Sequence, residues 1–320
     1  MSDNGVSETS GNAPAWPSLP FEAWGDTCAT LHMWTQIVGK VRLVCTPWTN
    51  HSWHVPLYLT ARGLTTSPIP HGSRLFQIDF DFLGRQLSIE TSDGGSEAMK
   101  LEPRSVASFY EELMAKLEEL AVGVTIYTTP NEVPDPIPFE EDREHDSYDA
   151  EYAERFWRVL LQTDQVLKAF RARFLGKNSP VHFFWGSSDL AVTRFSGRPA
   201  PPHPGGIPGL PDWITREAYS HEVSSAGFWP GGAVSPTPIF YAYAYPTPDG
   251  FGEAAVSPSG AFFSEEMGEF MLPYDEVRQA PDPDAQLMAF LESTYEAAAD
   301  LAGWDRGSLE TLPGFPRSGT

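Results

Sequence analysis

Cysteine and long hydrophobic stretches are both scarce in this chain of 320 residues. Its two cysteines, Cys28 and Cys45, are too few for a disulfide framework, and their apolar neighbours favour reduced, buried thiols. No apolar run approaches the roughly 20 residues that a membrane helix needs, and the first residues lack the apolar segment of a signal peptide. We therefore expect a cytoplasmic protein that does not enter membranes.

Basic residues are also scarce, since 21 Lys and Arg face 43 Asp and Glu, which gives a net charge of −22. An acidic surface repels phosphate backbones and anionic lipids, so we expect neither nucleic acid nor membranes as partners. The acidity is explained equally well by a need for solubility. It does not indicate an oligomeric state.

The common sequence motifs of enzymes are missing as well. The chain has no P-loop, no G-x-G-x-x-G, no H-E-x-x-H and no G-x-S-x-G. The glycine cluster at 205–209 contains proline, which removes amide donors that a phosphate would need. Any functional site must therefore be inferred from the placement of single residues.

Aromatic residues, in contrast, are abundant at 13%, with ten tryptophans. Seven of the eight histidines, all but His145, lie in segments rich in Trp, Phe, Tyr, Pro and Gly. Imidazoles beside large rings are typical of a buried polar pocket, and imidazole binds metals and transfers protons near neutral pH. The sequence therefore predicts a site for a small-molecule ligand.

The hydrophobic periodicity predicts an α+β fold with antiparallel sheets and flanking helices. Long helices are expected over residues 22–41, from 103 onward, and over 153–174 and 283–301. Hairpins are expected around 83–84 and 186–189, and a short strand over 124–128. His32 and Gln36 lie one helical turn apart, so both side chains could contact the same neighbour. Gln77, Asp79 and Asp81 alternate with phenylalanines, so they face solvent or form a polar pocket wall.

The domain organisation is predicted from composition and from the order of elements. We expect a disordered leader (1–14), an α+β half (15–130), an acidic proline-rich linker (131–150), a second α+β half (151–304) and a tail (305–320). QIVGKVR (36–42) parallels QVLKAFR (165–171), which agrees with a duplication and a central cleft between two halves, closed by the loop 196–212. Two unrelated helix-and-hairpin units would explain the same order.

The histidines supply the candidate catalytic and metal-binding residues. His221 could act as a metal ligand or general base, with Glu222 beside it as a second ligand or orienting group, although a surface turn explains the pair equally well. His54, at a strand entrance, is a better candidate ligand than His51. His182, expected to be half-buried at most, is the third ligand and a further catalytic candidate, with Asp189 as a supporting carboxylate. His54, His182 and His221 would suit a divalent Zn, Fe or Mn ion if they converge.

Five further residues are candidates for substrate binding. Trp53, Trp185 and Tyr243 could provide aromatic walls, and Arg62 or Arg194 could bind an anionic group of the substrate. Tyr243 alternates with Tyr241 and Tyr245 on one strand face, a pattern that lines a pocket or simply covers a sheet.

Several long segments resemble an uncharacterised bacterial family, catalogued as a domain of unknown function numbered 5996. The resemblance extends from about Trp16 to Trp304. It is carried by WPSLPFEAWGDTCATLHMWTQIVGKVRL, NHSWHVPLYLTARGLTTSPIP, SPVHFFWGSSDLAVTRFSGR, APPHPGG and EAYSHEVSSAGFWPGG. It implies one co-evolving unit rather than independent modules, and it implies no activity or catalytic residue.

Two functions follow as hypotheses. The first is a small-molecule enzyme of unknown substrate, in its most specific form a metal-dependent hydrolase with a His/carboxylate site in an aromatic cleft. The second is a non-catalytic binding or scaffold protein with an aromatic pocket. Three imidazoles that meet at one point would favour the enzyme, whereas dispersed histidines with a mostly apolar cavity would favour the binding protein.

Overall fold

The computed structural model describes residues 15–207, 209–232 and 235–311. The expected leader (1–14) and the last part of the tail (312–320) lie outside these ranges. Seven helices and two antiparallel six-stranded sheets occur within them, which confirms the predicted α+β class.

The elements follow each other in this order along the chain. The helices are α1 (Phe21–Cys45), α2 (Val106–Glu119), α3 (Ala150–Arg171), α4 (Asp212–Ala218), α5 (Tyr274–Arg278), α6 (Pro283–Leu301) and α7 (Arg306–Leu309). The strands are β1 (Tyr58–Leu59), β2 (Gly63–Thr65), β3 (Ile69–His71), β4 (Arg74–Asp81), β5 (Gln86–Thr91), β6 (Ser96–Lys100), β7 (His182–Phe184), β8 (Asp189–Pro199), β9 (His221–Trp229), β10 (Ile239–Tyr245), β11 (Phe262–Ser264) and β12 (Glu269–Pro273). Across the described ranges, no helix combines the length and the apolar character that crossing a bilayer requires.

The two sheets meet edge to edge. The N-terminal sheet has the order β1-β2-β4-β5-β6, with β3 also paired to β4, and the C-terminal sheet has the order β11-β12-β10-β9-β8-β7. Leu57, just before β1, and Phe183 in β7 exchange two backbone hydrogen bonds of 3.0 Å. Hydrogen bonds therefore join the halves at this edge, and the central cleft expected between them is not confirmed.

A single large hydrophobic core contains residues from both halves and surrounds α1. The Trp34 ring stacks on Phe109 of α2 with ring centroids 4.7 Å apart, and Trp24 lies 5.1 Å from Phe156 of α3. A Cβ atom at Gly39 would overlap the indole of Trp185, so this glycine permits close contact between α1 and the β7–β8 turn. Helix α1 thus contributes to the packing of both halves.

Three segments differ from their sequence predictions. Residues 124–128 form no strand. The segment expected to be a linker contains Phe139 and Asp142, both fully buried, and the carbonyl of Asp142 accepts a hydrogen bond from Ala107 at the start of α2. The first residues of the expected tail form α7. Contacts with the core fix the linker segment in place, a property that proline content and periodicity do not reveal.

The close contact at Gly39 generates a stability prediction. We expect Gly39→Ala to destabilise the protein by about 1–2 kcal/mol, since overpacking against a rigid indole outweighs the gain in helix propensity. Gly25→Ala on the same helix is the matched control, because its Cβ would meet only the Phe21 ring, which is partly exposed. Urea unfolding measures both variants, and a Gly39→Ala variant as stable as the wild type would contradict this packing of α1 against the turn.

Candidate functional site

The candidate site lies on one face of the C-terminal sheet, which we call the outer face. Side chains of directly paired residues point to the same face, and Tyr241 pairs with Gly227 on β9 and with Met271 on β12. Alternation along the strands places Asp189, Trp229, Tyr243 and Glu269 on this face too. The other face packs against α3 and α6, whereas the outer face carries a second, smaller apolar cluster that includes Tyr241 and Met271.

The carboxylate of Asp189 is held at the centre of this face by two hydroxyl groups. The side chain is 5% exposed, and it accepts hydrogen bonds from the hydroxyls of Tyr241 and Ser187. Tyr241 belongs to β10 and Asp189 to β8, so the phenol must cross β9. It crosses at Gly227, where a Cβ atom would overlap the Tyr241 hydroxyl. The absence of a side chain at this position therefore makes the hydrogen bond possible.

Two further carboxyl groups lie near Asp189 and raise the local density of negative charge. Burial raises the pKa of Asp189 to about 6. Desolvation and then the charge of Asp189 raise the pKa of Glu132 to about 7 and that of Glu269 to about 8. The Glu132 side chain is exposed, so solvent weakens the desolvation that raises its pKa, while Oε2 of Glu269 is buried with no hydrogen-bond partner among the described residues. None of the three forms an ion pair within the described part of the chain.

Aromatic rings surround these carboxyl groups. Trp229 stacks on Tyr241 with ring centroids 4.1 Å apart, and Tyr241 lies parallel to Tyr243 at 6.2 Å. The hydroxyls of Tyr243 and Tyr219 are 2.8 Å apart. The indole N–H of Trp229 is buried with no acceptor in the described ranges. We call this set the acid–aromatic cluster: Glu132, Asp189, Tyr219, Trp229, Tyr241, Tyr243 and Glu269.

Helix α1 places Glu132 in this cluster through a polar stripe at i, i+4 and i+8, which consists of His32, Gln36 and Lys40. The Gln36 amide bonds to both the N–H and the carbonyl of Asn131, at 2.9 and 2.8 Å. Lys40 donates to the carbonyl of Thr129 at 2.7 Å and to the Asn131 side chain at 2.5 Å. These bonds fix the chain directly before Glu132.

The same stripe contacts the β7–β8 turn. His32 Nε2 lies 2.9 Å from the carbonyl oxygen of Gly186, and Nε2 of Gln36 donates to the same oxygen at 3.4 Å. The sequence prediction that His32 and Gln36 share a neighbour is therefore confirmed. A Cβ atom at Gly186 would overlap the Glu132 carboxylate, so the turn also leaves space for this acid.

The proline- and glycine-rich loop lies beside the cluster. Its Pro201 carbonyl accepts a hydrogen bond of 3.0 Å from Tyr245, and its His203 ring stacks on Tyr219 at 4.9 Å. Asn131 donates to the Gly209 carbonyl at 2.6 Å. The loop thus connects the segment before Glu132 to the tyrosines of the outer face.

A second group of polar residues surrounds His51. The sequence pattern favours His54 over His51 as a candidate metal ligand. The His51 ring bonds to Lys177 Nζ at 2.6 Å and to the Ala218 carbonyl at 3.1 Å, so Nε2 accepts and Nδ1 donates. Its backbone N–H donates to both Glu217 oxygens, and the His221 ring lies 6.1 Å away. A left-handed backbone at φ 58° directs His51 into this position, which residue spacing does not indicate.

The three predicted metal ligands lie in different surroundings. His54 accepts a hydrogen bond from the Thr49 N–H at 3.2 Å, and His221 lies beside His51. His182 is 1% exposed, because Trp53 and Tyr58 cover its ring at 5.9 and 5.7 Å, so the expectation of half-burial was wrong. Within the described ranges, no three His, Cys, Asp or Glu side chains are placed to hold a metal ion. The three-histidine metal site is therefore not formed by these residues.

The other predicted site residues have partners of their own. Glu222 accepts hydrogen bonds from Arg198 at 2.7 Å and from Ser196 at 2.8 Å. Arg194 is 1% exposed on the inner face, 3.4 Å above the centroid of the Phe170 ring, so it does not reach a ligand on the outer face. Trp185 donates to the Val55 carbonyl at 2.9 Å and belongs to the core.

Arg62 lines a separate groove of about 440 Å³ on the N-terminal sheet. It pairs with Asp81 at 2.8 Å, and Gln77 and Asp79 line the same groove. The sequence left two alternatives for these polar residues, exposure to solvent or a pocket wall, and in the structure they form the wall of a groove. This groove and the acid–aromatic cluster belong to different sheets.

Together, the fold and the site define an α+β protein with two joined antiparallel sheets and an acidic, aromatic outer face. A model of a family of unknown function, DUF5996, matches residues 16–311, and the chain belongs to that family. No curated protein and no solved structure matches the chain significantly. The family is the one that the sequence resemblance indicates, and its match over both halves agrees with one co-evolving unit.

The raised carboxyl pKa values predict how stability depends on pH. The folded protein binds the protons of Asp189 and Glu269 more tightly than the unfolded chain, so each group favours folding at low pH. The free energy of unfolding of the wild type relative to Glu269→Gln should fall as pH rises from about 4.5 to about 8. Relative to Asp189→Asn, the free energy of unfolding of the wild type should fall as pH rises from about 3.8 to about 6.

Urea unfolding across this pH range measures both differences. Glu119→Gln, at an exposed position of α2, controls for the loss of one negative charge. If the difference between wild type and Glu269→Gln instead rises with pH, the folded protein favours the ionised carboxylate and the raised pKa of Glu269 is wrong.

Proposed function

We propose that the protein binds a small organic cation, an ammonium compound, at the acid–aromatic cluster. The observation that carries this proposal is a group of three neighbouring carboxyl groups beside stacked Trp and Tyr rings, with no ion pair among the described residues. It is the second of the two functions suggested by the sequence, located at a set of residues that shares only Asp189 and Tyr243 with the sequence candidates.

The chemistry of the cluster supports a cationic ligand. A positive charge near Asp189 and Glu269 would favour their ionised forms and offset the mutual repulsion between the carboxylates. The faces of Trp and Tyr rings attract cations, most strongly when the ion is partly desolvated. Oε2 of Glu269 can accept a hydrogen bond from an ammonium group, and the indole N–H of Trp229, which has no acceptor among the described residues, can donate to a neighbouring polar group of the ligand.

The positions of the histidines also support binding over histidine-dependent catalysis. His51 and His221 are neighbours, but His54 and His182 have separate partners and separate surroundings. Imidazoles that do not converge on one point leave the histidine-dependent enzyme without its expected arrangement. The cytoplasmic location expected from the sequence remains a prediction.

Acid–base catalysis at the same cluster is a second candidate function. A carboxyl group with a pKa of about 6 can donate or accept a proton at neutral pH, and Asp189 is held in place by Tyr241 and Ser187. The reaction class in that case would be proton transfer on the bound small molecule, with Asp189 as the exchanging group.

Binding of alkylammonium and diamine chlorides, followed by tryptophan fluorescence, tests the leading proposal. Asp189→Asn and Glu269→Gln should each weaken binding by about tenfold or more, since a charge-assisted contact contributes about 1.5–3 kcal/mol. Affinity should rise between about pH 5.5 and 8, because the carboxyl groups lose their protons while an alkylammonium group keeps its charge.

Glu119→Gln serves again as the matched charge control, and alcohols of equal length serve as uncharged ligands. Equal affinity for the alcohol and the ammonium compound, or unchanged affinity in both cluster variants, would contradict a cation site at this face.

A further inference from the structure

Arg42, in the last turn of α1, is a buried cation that has no carboxylate partner among the residues described by the structure. Its side chain is 7% exposed, and it forms no ion pair with any described residue. One terminal nitrogen donates to the Thr66 carbonyl, while Nε is buried with no acceptor in the described ranges. An isolated buried charge is costly, so buried guanidinium groups normally have an anionic partner.

Two more unpaired polar atoms lie in the same region. The Tyr58 ring is 5.8 Å from the Arg42 guanidinium and 5.7 Å from the His182 ring, so it lies next to both groups. Nε2 of His182 is buried with no hydrogen-bond partner among the described residues. Thr46 follows Arg42 by one helical turn, and its buried hydroxyl also has no described partner.

The electrostatic environment of this region is positive, although the whole chain carries a charge of −22. Burial, followed by the charges of Arg42 and Arg171, lowers the pKa of His182 to about 3. Burial lowers the pKa of His54 as well, and the charge of Arg42 acts in the same direction, whereas the Thr49 hydrogen bond and the charge of Glu217 raise it. A positive potential combined with unpaired donors favours an anion, whereas a water molecule would leave the guanidinium charge uncompensated.

We propose that the junction of α1, β1 and β7 binds a small oxyanion, held by the Arg42 guanidinium, with His182 and Thr46 as further hydrogen-bond donors. The planar guanidinium matches the oxygens of a carboxylate or a phosphate. His182 donates from Nε2 when its ring takes the corresponding tautomer, and Thr46 donates from its hydroxyl. This site uses none of the residues of the acid–aromatic cluster.

Thermal unfolding of the full chain in sodium phosphate, sodium acetate and sodium chloride at equal ionic strength tests this site. Phosphate or acetate should raise Tm by about 5 °C at a hundredfold excess over Kd, relative to chloride, and the effective salt tells whether the site prefers phosphate or carboxylate oxygens. Arg42→Met should lose the shift. Arg155→Met, which removes the same charge from the surface of α3, should keep it.

A second measurement uses wild-type protein, so it stays informative if Arg42→Met fails to fold. In protein labelled with 15N at histidine, the stabilising anion should shift the ring resonances of His182, which are assigned with His182→Gln. If the site binds only water, we expect no anion-specific Tm shift and no change in the ring resonances of His182. That outcome, or a full Tm shift in a folded Arg42→Met variant, would overturn the proposal.

Discussion

The burial of α1 between the two halves determines where the other segments of the protein can lie. Its apolar side chains pack against both halves, and its polar stripe of His32, Gln36 and Lys40 has to find partners inside the protein. Those partners are mainly backbone groups of two connecting segments, at 129–131 and at Gly186. The helix thus holds the loops in the positions from which Glu132 and Asp189 approach each other.

Charge separation within the molecule is its second main feature. Acidic groups collect around Asp189, whereas Arg42 and Arg171 make the surroundings of His182 positive. The two regions are close in the sheet, since His182 pairs with Ala191, two residues after Asp189. Neither Asp189 nor Arg42 has a described ion pair that would neutralise it internally, and this shared property underlies both binding proposals.

Regular periodicity predicts the framework of the protein well. The helix expected over 283–301 coincides with α6, and the one expected over 153–174 is displaced by three residues from the observed bounds of α3. The hairpins around 83–84 and 186–189 form as expected, because alternating apolar residues and turn residues determine strand pairing locally. Among site residues, Tyr243 and Asp189 are recognised from the sequence, since one lies on a tyrosine-rich strand and the other at a turn.

The remaining site residues depend on contacts between distant segments. Glu132 lies in a stretch without periodicity, and only its fixation by α1 brings it to Asp189. The role of Gly227 becomes clear only from the path of the Tyr241 side chain across β9. His182 sits on a short strand near the join between the sheets, and the rings that bury it come from a segment more than 120 residues earlier. Aromatic and histidine content therefore indicates a site but not its centre.

Side-chain carboxyl NMR is the decisive measurement, because it shows whether the outer face concentrates coupled carboxyl groups. In protein labelled with 13C at Asp and Glu, the chemical shifts of Asp189, Glu132 and Glu269 report each protonation step. We expect midpoints near 6, 7 and 8 respectively, with the Glu132 and Glu269 midpoints falling when Asp189 is changed to Asn. Midpoints at ordinary carboxyl values for all three groups, unchanged by that substitution, would contradict a coupled acidic cluster.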